Sequence, residues 1–184
     1  MNFNWQIHRA VRYLKKNGVI AYPTEAVYGL GCDPLNAQAV HQILALKKRP
    51  VTKGLILIAA EWKQLAPLVE IPNETILKKM LTTWPGPTTW VVQARPWIPS
   101  WLKGNRDSLA VRVTNHPIAS KLCYAFEGPI VSTSANITGY KSAKNPLTVR
   151  RQFGESEILI VPGAIGEEKQ TTKIIDAISD RIIR

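Results

Sequence analysis

Apolar residues at the start of the chain change from helical to strand spacing. One helical face is marked by Ile7, Ala10, Val11 and Leu14, which predicts an opening helix. Asn17-Gly18 then ends this helix, and the apolar run Val19–Tyr22 predicts a short strand that breaks at Pro23. The chain should therefore begin with a helix that leads directly into a strand.

A second helix is predicted by its apolar positions Val40, Ile43 and Leu44. It should end before Pro50, because the residue preceding a proline disfavours helical backbone. This boundary puts three consecutive cations at or just past the helix C-terminus, namely Lys47, Lys48 and Arg49. The continuous apolar run that follows, Leu55–Ala59, predicts a buried strand.

The rest of the chain continues the alternation of helices and strands. Helices are predicted over 76–84, through Ile118, Leu122 and Ala125, and around 146–153, the first of them stopped by Pro85-Gly86-Pro87. Strands are predicted over 89–93, 109–113 and 130–133, and near 158–161 and 174–178. Closely spaced strands among helices predict an α/β fold with a mixed sheet.

Length and composition favour a single globular domain. The chain has 184 residues, 45% of them hydrophobic and 20% charged, and no tract suggests a linker, so we expect one domain over 1–184. No export signal is visible, and the longest apolar run, Leu55–Ala60, is far below the roughly 18 residues of a membrane span. We therefore expect a cytoplasmic protein without membrane contact.

The charge of the chain is strongly positive and unevenly distributed. There are 24 basic and 13 acidic residues, and residues 1–150 hold 19 of the basic and 7 of the acidic ones. Such an excess favours anionic partners such as nucleotides or an RNA backbone, although a basic solvated surface would give the same count. Cys32 and Cys123 lie outside any metal-binding spacing, so we expect two thiols and no protein metal site.

The familiar nucleotide-binding and hydrolase patterns are absent. No GxxxxGK[ST] or GxGxxG string occurs, and Gly139-Tyr140-Lys141-Ser142 matches only the end of the first. His116 precedes Pro117 at a predicted helix start, where helix capping is the favoured role. Few acids or bases but many cations suit a reaction that works by positioning and charge neutralisation.

Three strings are chemically distinctive. VIAYPTEAVYGLGCD, from Val19, runs from a strand into a proline turn with a Thr-Glu pair and two close glycines. KKRPVTK, from Lys47, places a charge run directly before a strand, which an ordinary solvated face would also explain. PIVSTSANITG, from Pro129, leads from a strand to hydroxyl and amide groups that can cap a turn or bind phosphate and carboxylate oxygens.

Together these strings resemble the YrdC-like family of threonylcarbamoyl-AMP synthases, in its single-domain TsaC form. The family motifs appear in order as AYPTEAVYGLG from Ala21, KKRP from Lys47, WPGPTT from Trp84, AVRVTNHP from Ala110 and STSANITG from Ser132. The resemblance covers nearly the whole chain. It implies a YrdC-like single domain, a twisted mixed sheet flanked by helices around a basic concave cleft.

The resemblance also implies a reaction. L-Threonine, bicarbonate and ATP, the last accompanied by Mg²⁺, give threonylcarbamoyl-AMP and pyrophosphate. The product would pass to a separate threonylcarbamoyl transferase complex of the TsaD, TsaB and TsaE type, which modifies adenosine 37 of tRNA. Every participant carries an anionic group, so guanidinium and ammonium groups suit the pocket. Direct binding of tRNA or double-stranded RNA is a further partner prediction.

Site residues follow from the motif matches. The resemblance assigns ATP binding and catalysis to Lys47, Arg49, Ser132 and Asn136, with both KKRP cations exposed in a cleft. It assigns threonine binding to Thr24 and Ser134, and the threonine carboxylate to Arg112. Lys53 is a weaker candidate. Ala26, Thr114 and the tail from Pro162 depart from the family pattern, and the tail is left out of the predicted site.

Two other functions stay open at this point. A basic domain of this shape could hold RNA without doing chemistry, and steep weakening with salt would distinguish that case. Related domains also occur in hydrogenase-maturation proteins that use carbamoyl phosphate. That class carries zinc-finger and acylphosphatase-like parts, for which this chain has neither the length nor the cysteine spacing.

Overall fold

The computed structural model describes residues 3–154, 157–168 and 170–183. The predicted domain 1–184 also includes residues outside the described ones: Met1, Asn2, Glu155, Ser156, Lys169 and Arg184. The described helices are α1 (Phe3–Leu14), α2 (Ala37–Lys47), α3 (Trp62–Leu65), α4 (Glu74–Thr82), α5 (Ser100–Lys103), α6 (Pro117–Phe126) and α7 (Pro146–Phe153). The strands are β1 (Val19–Pro23), β2 (Tyr28–Gly31), β3 (Ile56–Ala59), β4 (Val69–Glu70), β5 (Thr88–Ala94), β6 (Ser108–Val113), β7 (Ile130–Ser134), β8 (Ile158–Ile160) and β9 (Lys173–Asp176).

The strands form one mixed sheet, which confirms the predicted fold class. Their order is β4-β5-β6-β3-β7-β2-β1-β8, and β9 pairs with β5. The pairs β3/β6, β1/β8 and β5/β9 are parallel, whereas β1/β2, β2/β7, β3/β7, β4/β5 and β5/β6 are antiparallel. The centre of the sheet therefore joins strands from both halves of the sequence.

Helices cover both faces of this sheet, and successive residues of one strand point to opposite faces. On β3, for example, Leu57 and Ala59 pack with α2 in one core, whereas Ile58 packs with α1 and α6 in the other. Three helices begin at asparagines whose side chains accept a backbone N–H, which satisfies a donor that the first turn leaves free; these are Asn36, Asn73 and Asn145.

The predicted helices and strands are present, and where bounds were predicted they match the observed ones or differ by one or two residues. The prediction missed the short elements α3, β4 and α5, and it missed β2 because Gly29 and Gly31 read as loop residues. A Cβ on Gly31 would lie 2.7 Å from a ring carbon of Tyr22 and 2.7 Å from the carbonyl oxygen of Val131, so glycine is required by close packing within the sheet. Among the described residues, no helix combines the length and apolar character that crossing a membrane requires.

Candidate active site

A cleft of about 460 Å³ opens on the sheet face that carries α1 and α6. Its floor on β6 is formed by alternate residues, Ser108, Ala110 and Arg112, while Leu109 and Val111 point into the opposite core. Small and polar residues leave room here, where a larger apolar side chain would fill the cleft. The alternation in SLAVRV is the sequence signal for this polar face.

The turn between β1 and β2 brings Thr24 to the wall of the cleft. Its backbone N–H and its Oγ1 both donate to the carbonyl oxygen of Val27, at 3.0 and 2.7 Å. The hydroxyl hydrogen is thereby committed to closing the turn. Thr24 can offer a ligand only acceptor lone pairs, which suit the amine of an amino acid.

Next to Thr24, Glu25 forms a buried ion pair with Arg112. Arg112 Nη1 donates to Glu25 Oε2 at 2.6 Å, and Thr114 Oγ1 donates to Glu25 Oε1 at 2.6 Å. Burial raises the pKa of Glu25, but the Arg112 guanidinium and the Thr114 hydroxyl outweigh it, so that the pKa lies below its ordinary value. The carboxylate is therefore ionised and holds the guanidinium in place.

Arg112 keeps binding capacity beyond this pair. It is 4% exposed and lines the cleft, and its buried Nε–H has no hydrogen-bond partner among the described residues. A buried unsatisfied donor is costly, and a charged one more so. Because Nη1 is bonded to Glu25 and the Nε–H donor has no partner in the described part of the chain, the guanidinium of Arg112 can bind a further carboxylate.

The two KKRP residues of the predicted site differ in position. Arg49 lines the cleft, and its Nη2 donates to the carbonyl oxygen of Gly54 at 3.0 Å. Lys47 is 3% exposed and is not among the residues that line the cleft, so the prediction that both are exposed is wrong for Lys47. Lys47 follows Ile43 by four residues, and the buried face of α2 therefore extends to it.

The buried ammonium group of Lys47 forms hydrogen bonds to the protein backbone. Its Nζ donates to the carbonyl oxygen of Ser134 and, at 2.9 Å, to that of Asn136. The backbone oxygen of Lys47 in turn accepts from the N–H and the hydroxyl of Thr138. Burial, reinforced by the charge of Arg49, lowers the pKa of Lys47 to about 8. Lys47 thus fixes the loop that follows β7.

The STSAN residues divide in the same way. Ser132 and Ser134 line the cleft, with Ser132 opposite Ile56 of β3. Asn136 does not line it, because its amide donates to the carbonyl oxygens of Ile137 and Tyr140, both at 2.9 Å. Of the seven predicted residues, the cleft therefore brings together five, namely Thr24, Arg49, Arg112, Ser132 and Ser134.

The tail also reaches the cleft, which the sequence analysis missed. Gly166 N–H donates to the carbonyl oxygen of Thr24 at 2.9 Å, and Glu168 N–H donates to that of Glu25 at 3.1 Å. Thr171 and Thr172 then line the cleft. Their hydroxyls follow a segment already tied to the Thr24 turn, a contact across the fold that sequence spacing does not reveal.

Three cations on one rim, near the starts of β3 and β6, complete the lining: Lys53, Lys103 and Arg106. With Arg49 and Arg112, they make five positive side chains, and no carboxylate belongs to the described lining. Only Lys53 was considered from sequence. His116, as predicted, caps α6, since its Nδ1 accepts from Ala119 N–H at 3.5 Å while its Nε2 donates to the carbonyl oxygen of Ala164 at 3.1 Å.

Known proteins similar to this chain share nearly its whole length. The threonylcarbamoyl-AMP synthase of Methylococcus capsulatus is 49% identical over 98% of this chain and 97% of that protein. The threonylcarbamoyl-AMP synthase of Coxiella burnetii strain RSA 493 is 46% identical over 100% of this chain and 98% of that protein. These relatives therefore match from end to end and not through one shared motif.

A solved structure and a family model agree with them. The crystal structure of P. abyssi Sua5 complexed with L-threonine superposes with a TM-score of 0.88 and 34% identity, over 94% of this chain and 51% of that one. This chain thus spans about half of Sua5. The Sua5/YciO/YrdC family model, described as "Telomere recombination", matches residues 12–184. The chain therefore belongs to the Sua5/YciO/YrdC family.

Proposed function

We propose that this protein is a threonylcarbamoyl-AMP synthase, which makes threonylcarbamoyl-AMP and pyrophosphate from L-threonine, bicarbonate and ATP. The observation that carries the proposal is the full-length similarity to two proteins of that name. The cleft supports it, because five cationic side chains suit substrates that all carry anionic groups. The relative with bound L-threonine supports an amino acid as one of them.

The residues of the cleft suggest how the reaction proceeds. Threonine and bicarbonate lose water to give an N-carboxylated threonine, whose new carboxylate oxygen attacks the α-phosphorus of ATP. The bond from that phosphorus to the bridging oxygen breaks, and pyrophosphate leaves. Arg112 would hold the threonine carboxylate, with Thr24 near it, while Arg49 and Ser132 would hold the phosphates. Contact of Ser134 with threonine stays a prediction. Such a cleft lowers the barrier by orientation and charge neutralisation.

Lys47 and Asn136 enter this proposal through the loop that they support. Both are bonded within the segment 134–140, next to Ser132 and Ser134. They would therefore position the serines. Direct contact of Lys47 or Asn136 with ATP stays a prediction.

Mg²⁺ fits this proposal as part of the nucleotide substrate. Across residues 3–154, 157–168 and 170–183, no group of three or more His, Cys, Asp or Glu side chains could hold a metal ion. Glu25, the carboxylate nearest Arg112, already accepts two hydrogen bonds. The triphosphate would therefore carry the ion.

The wider setting is proposed on the same basis. The chain would act as one domain in the cytoplasm and pass its product to a threonylcarbamoyl transferase complex for modification of adenosine 37 in tRNA. Direct RNA binding would be a separate property of the basic surface, and its affinity should fall steeply as salt rises.

The experiment is ATP-dependent release of pyrophosphate by the purified protein, with threonine and bicarbonate omitted in turn. Release that requires both substrates is the expected result. Release without threonine would indicate a simple ATP pyrophosphohydrolase and contradict the proposal. An absence of release under every combination, together with salt-sensitive RNA binding, would favour the RNA-binding module instead.

A further inference from the structure

Two loops are locked together at one end of the cleft. Leu55 N–H donates to the carbonyl oxygen of Leu102 at 2.9 Å, and Asn105 N–H donates to that of Thr52 at 3.3 Å. Gly104 has φ of 66°, in the left-handed region, and a Cβ there would lie 2.3 Å from the Thr52 oxygen. The segments 51–55 and 102–106 therefore form one unit.

This unit carries Lys53, Lys103 and Arg106, all of which line the cleft. Among the described residues, none of the three forms a salt bridge, although other exposed cations of the chain do, such as Lys78 with Glu74. Three like charges on a joined pair of loops repel one another unless an anion lies between them. The rim is therefore suited to an anion of high charge.

The rim and Arg112 lie at different ends of the cleft floor. Ser108, where β6 begins, is four residues from Arg112, which corresponds to about 13 Å at the usual rise of a strand. Arg106 precedes Ser108 by two residues. If the threonine carboxylate lies at Arg112, the α-phosphorus of ATP would lie over the middle of the floor. The β- and γ-phosphates of ATP would then extend toward the rim.

We propose that Lys53, Lys103 and Arg106 bind the β- and γ-phosphates of ATP and hold the pyrophosphate leaving group. This assignment rests on the proposed synthase function and adds three residues to those of the KKRP and STSAN motifs. The cations line the same cleft of about 460 Å³ as Arg112, and this volume fits a small polyphosphate better than the extended backbone of an RNA. Selectivity for the triphosphate over the monophosphate would be their contribution.

The test compares nucleotides that differ only in their phosphates. The double variant Lys103→Ala/Arg106→Ala should weaken binding of ATP and of inorganic pyrophosphate by about tenfold or more, because the phosphate oxygens lose two cationic donors. Binding of AMP should change less than about twofold, because AMP does not reach the rim. Both measurements can be made by calorimetry. The variant Lys103→Ala/Arg106→Lys, which keeps a cation at position 106, should bind ATP more tightly than Lys103→Ala/Arg106→Ala.

The control removes two exposed cations outside the cleft, in Arg12→Ala/Lys16→Ala, and should leave ATP, pyrophosphate and AMP binding unchanged. Unchanged ATP binding in the cleft variant would overturn the inference, as would an equal loss for ATP and AMP. A loss confined to RNA binding would also overturn it and assign the rim to RNA. If the wild type binds ATP but releases no pyrophosphate with threonine and bicarbonate, the synthase proposal fails. The comparison of ATP with AMP binding still decides whether the rim cations bind the β- and γ-phosphates.

Discussion

Arg112 Nη1 and Glu25 Oε2 lie 2.6 Å apart in a buried ion pair that joins β6 to the turn after β1. The two residues are separated by 87 positions in the sequence, so the pair exists only when the central strands have assembled. Glu25 neutralises part of the charge of Arg112 and fixes its orientation. A carboxylate ligand then meets a guanidinium that is already in place, which reduces the entropy lost on binding.

Glu25→Gln should weaken threonine binding more than ATP binding. The substitution removes the charge that orients Arg112, and it should lower the free energy of unfolding by about 3–5 kcal/mol, because a buried cation loses its partner. The threonine concentration for half-maximal pyrophosphate release should rise, with a smaller change for ATP. The measurements are substrate dependence of pyrophosphate release and urea unfolding.

Glu74→Gln is the matched control for Glu25→Gln. Glu74 pairs with Lys78 at 3.0 Å on the surface of α4, where both side chains are more than two-thirds exposed. Its loss should cost no more than about 0.5 kcal/mol and leave the substrate dependence unchanged. If Glu25→Gln behaved like this control in both assays, Glu25 would not be a positioning residue.

Lys47→Met should destabilise the loop after β7. Methionine can fill the volume of the lysine stem but donates no hydrogen bond, so two buried carbonyl oxygens, of Ser134 and Asn136, lose a donor. The free energy of unfolding should fall by about 2–4 kcal/mol. Amide hydrogen exchange should become faster over residues 134–138, where Thr138 N–H is bonded to the Lys47 oxygen.

Lys16→Met provides the comparison, because Lys16 is exposed past the end of α1. It should leave stability and exchange at wild-type values. A Lys47→Met protein with normal stability and exchange but no ATP binding would show that Lys47 contacts the nucleotide directly. That outcome would support the role implied by the KKRP motif and contradict a purely positioning role.

Sequence patterns predicted the cleft well where the motif residues are also strand or turn residues. Ser132 and Arg112 lie on strands whose alternation decides which side chains face the floor, and Thr24 sits in a turn directly after such a strand. Lys47 shows why a charged string can mislead. Its neighbours suggested a solvated face, but the spacing from Ile43 continues the buried face of α2. The helical spacing of the apolar residues, continued for one more turn from Ile43, could have indicated its burial.

The spacing of residues in the sequence did not predict contacts between distant segments. Thr114 appeared only as a departure from the family pattern, yet it donates to Glu25 across 89 positions. The tail looked unsuitable for a site because of its acidic residues, whereas its backbone is what binds the Thr24 turn. Backbone contacts of this kind depend on tertiary packing and leave little trace in residue type.

Acid should destabilise the start of α6 through His116. Burial lowers the pKa of His116 below 6.5, so the folded protein binds fewer protons at this site than the unfolded chain. The stability due to the neutral ring is therefore complete above about pH 6.5 and is lost as the pH falls below it. Protonation also removes the Nδ1 acceptor that caps Ala119 N–H.

His116→Asn tests this pH dependence, because asparagine caps a helix without titrating. Urea unfolding between about pH 5 and pH 8 should show a smaller loss of stability in the variant than in the wild type. Equal slopes for the two proteins would contradict a role for His116 in acid sensitivity.

Gly166→Ala should separate the tail from the Thr24 turn. A Cβ at Gly166 would lie 2.7 Å from the carbonyl oxygen of Glu25 and 3.0 Å from its Cα, both backbone atoms with little freedom to move. The free energy of unfolding should fall by about 1–3 kcal/mol through overpacking. Because Thr171 and Thr172 follow this segment into the cleft, pyrophosphate release should fall as well.

Gly128→Ala is the control for Gly166→Ala, since a Cβ at Gly128 meets nothing closer than 3.8 Å and should change neither stability nor pyrophosphate release. A Gly166→Ala protein with lower stability but wild-type pyrophosphate release would show that the tail supports the fold without contributing to the site.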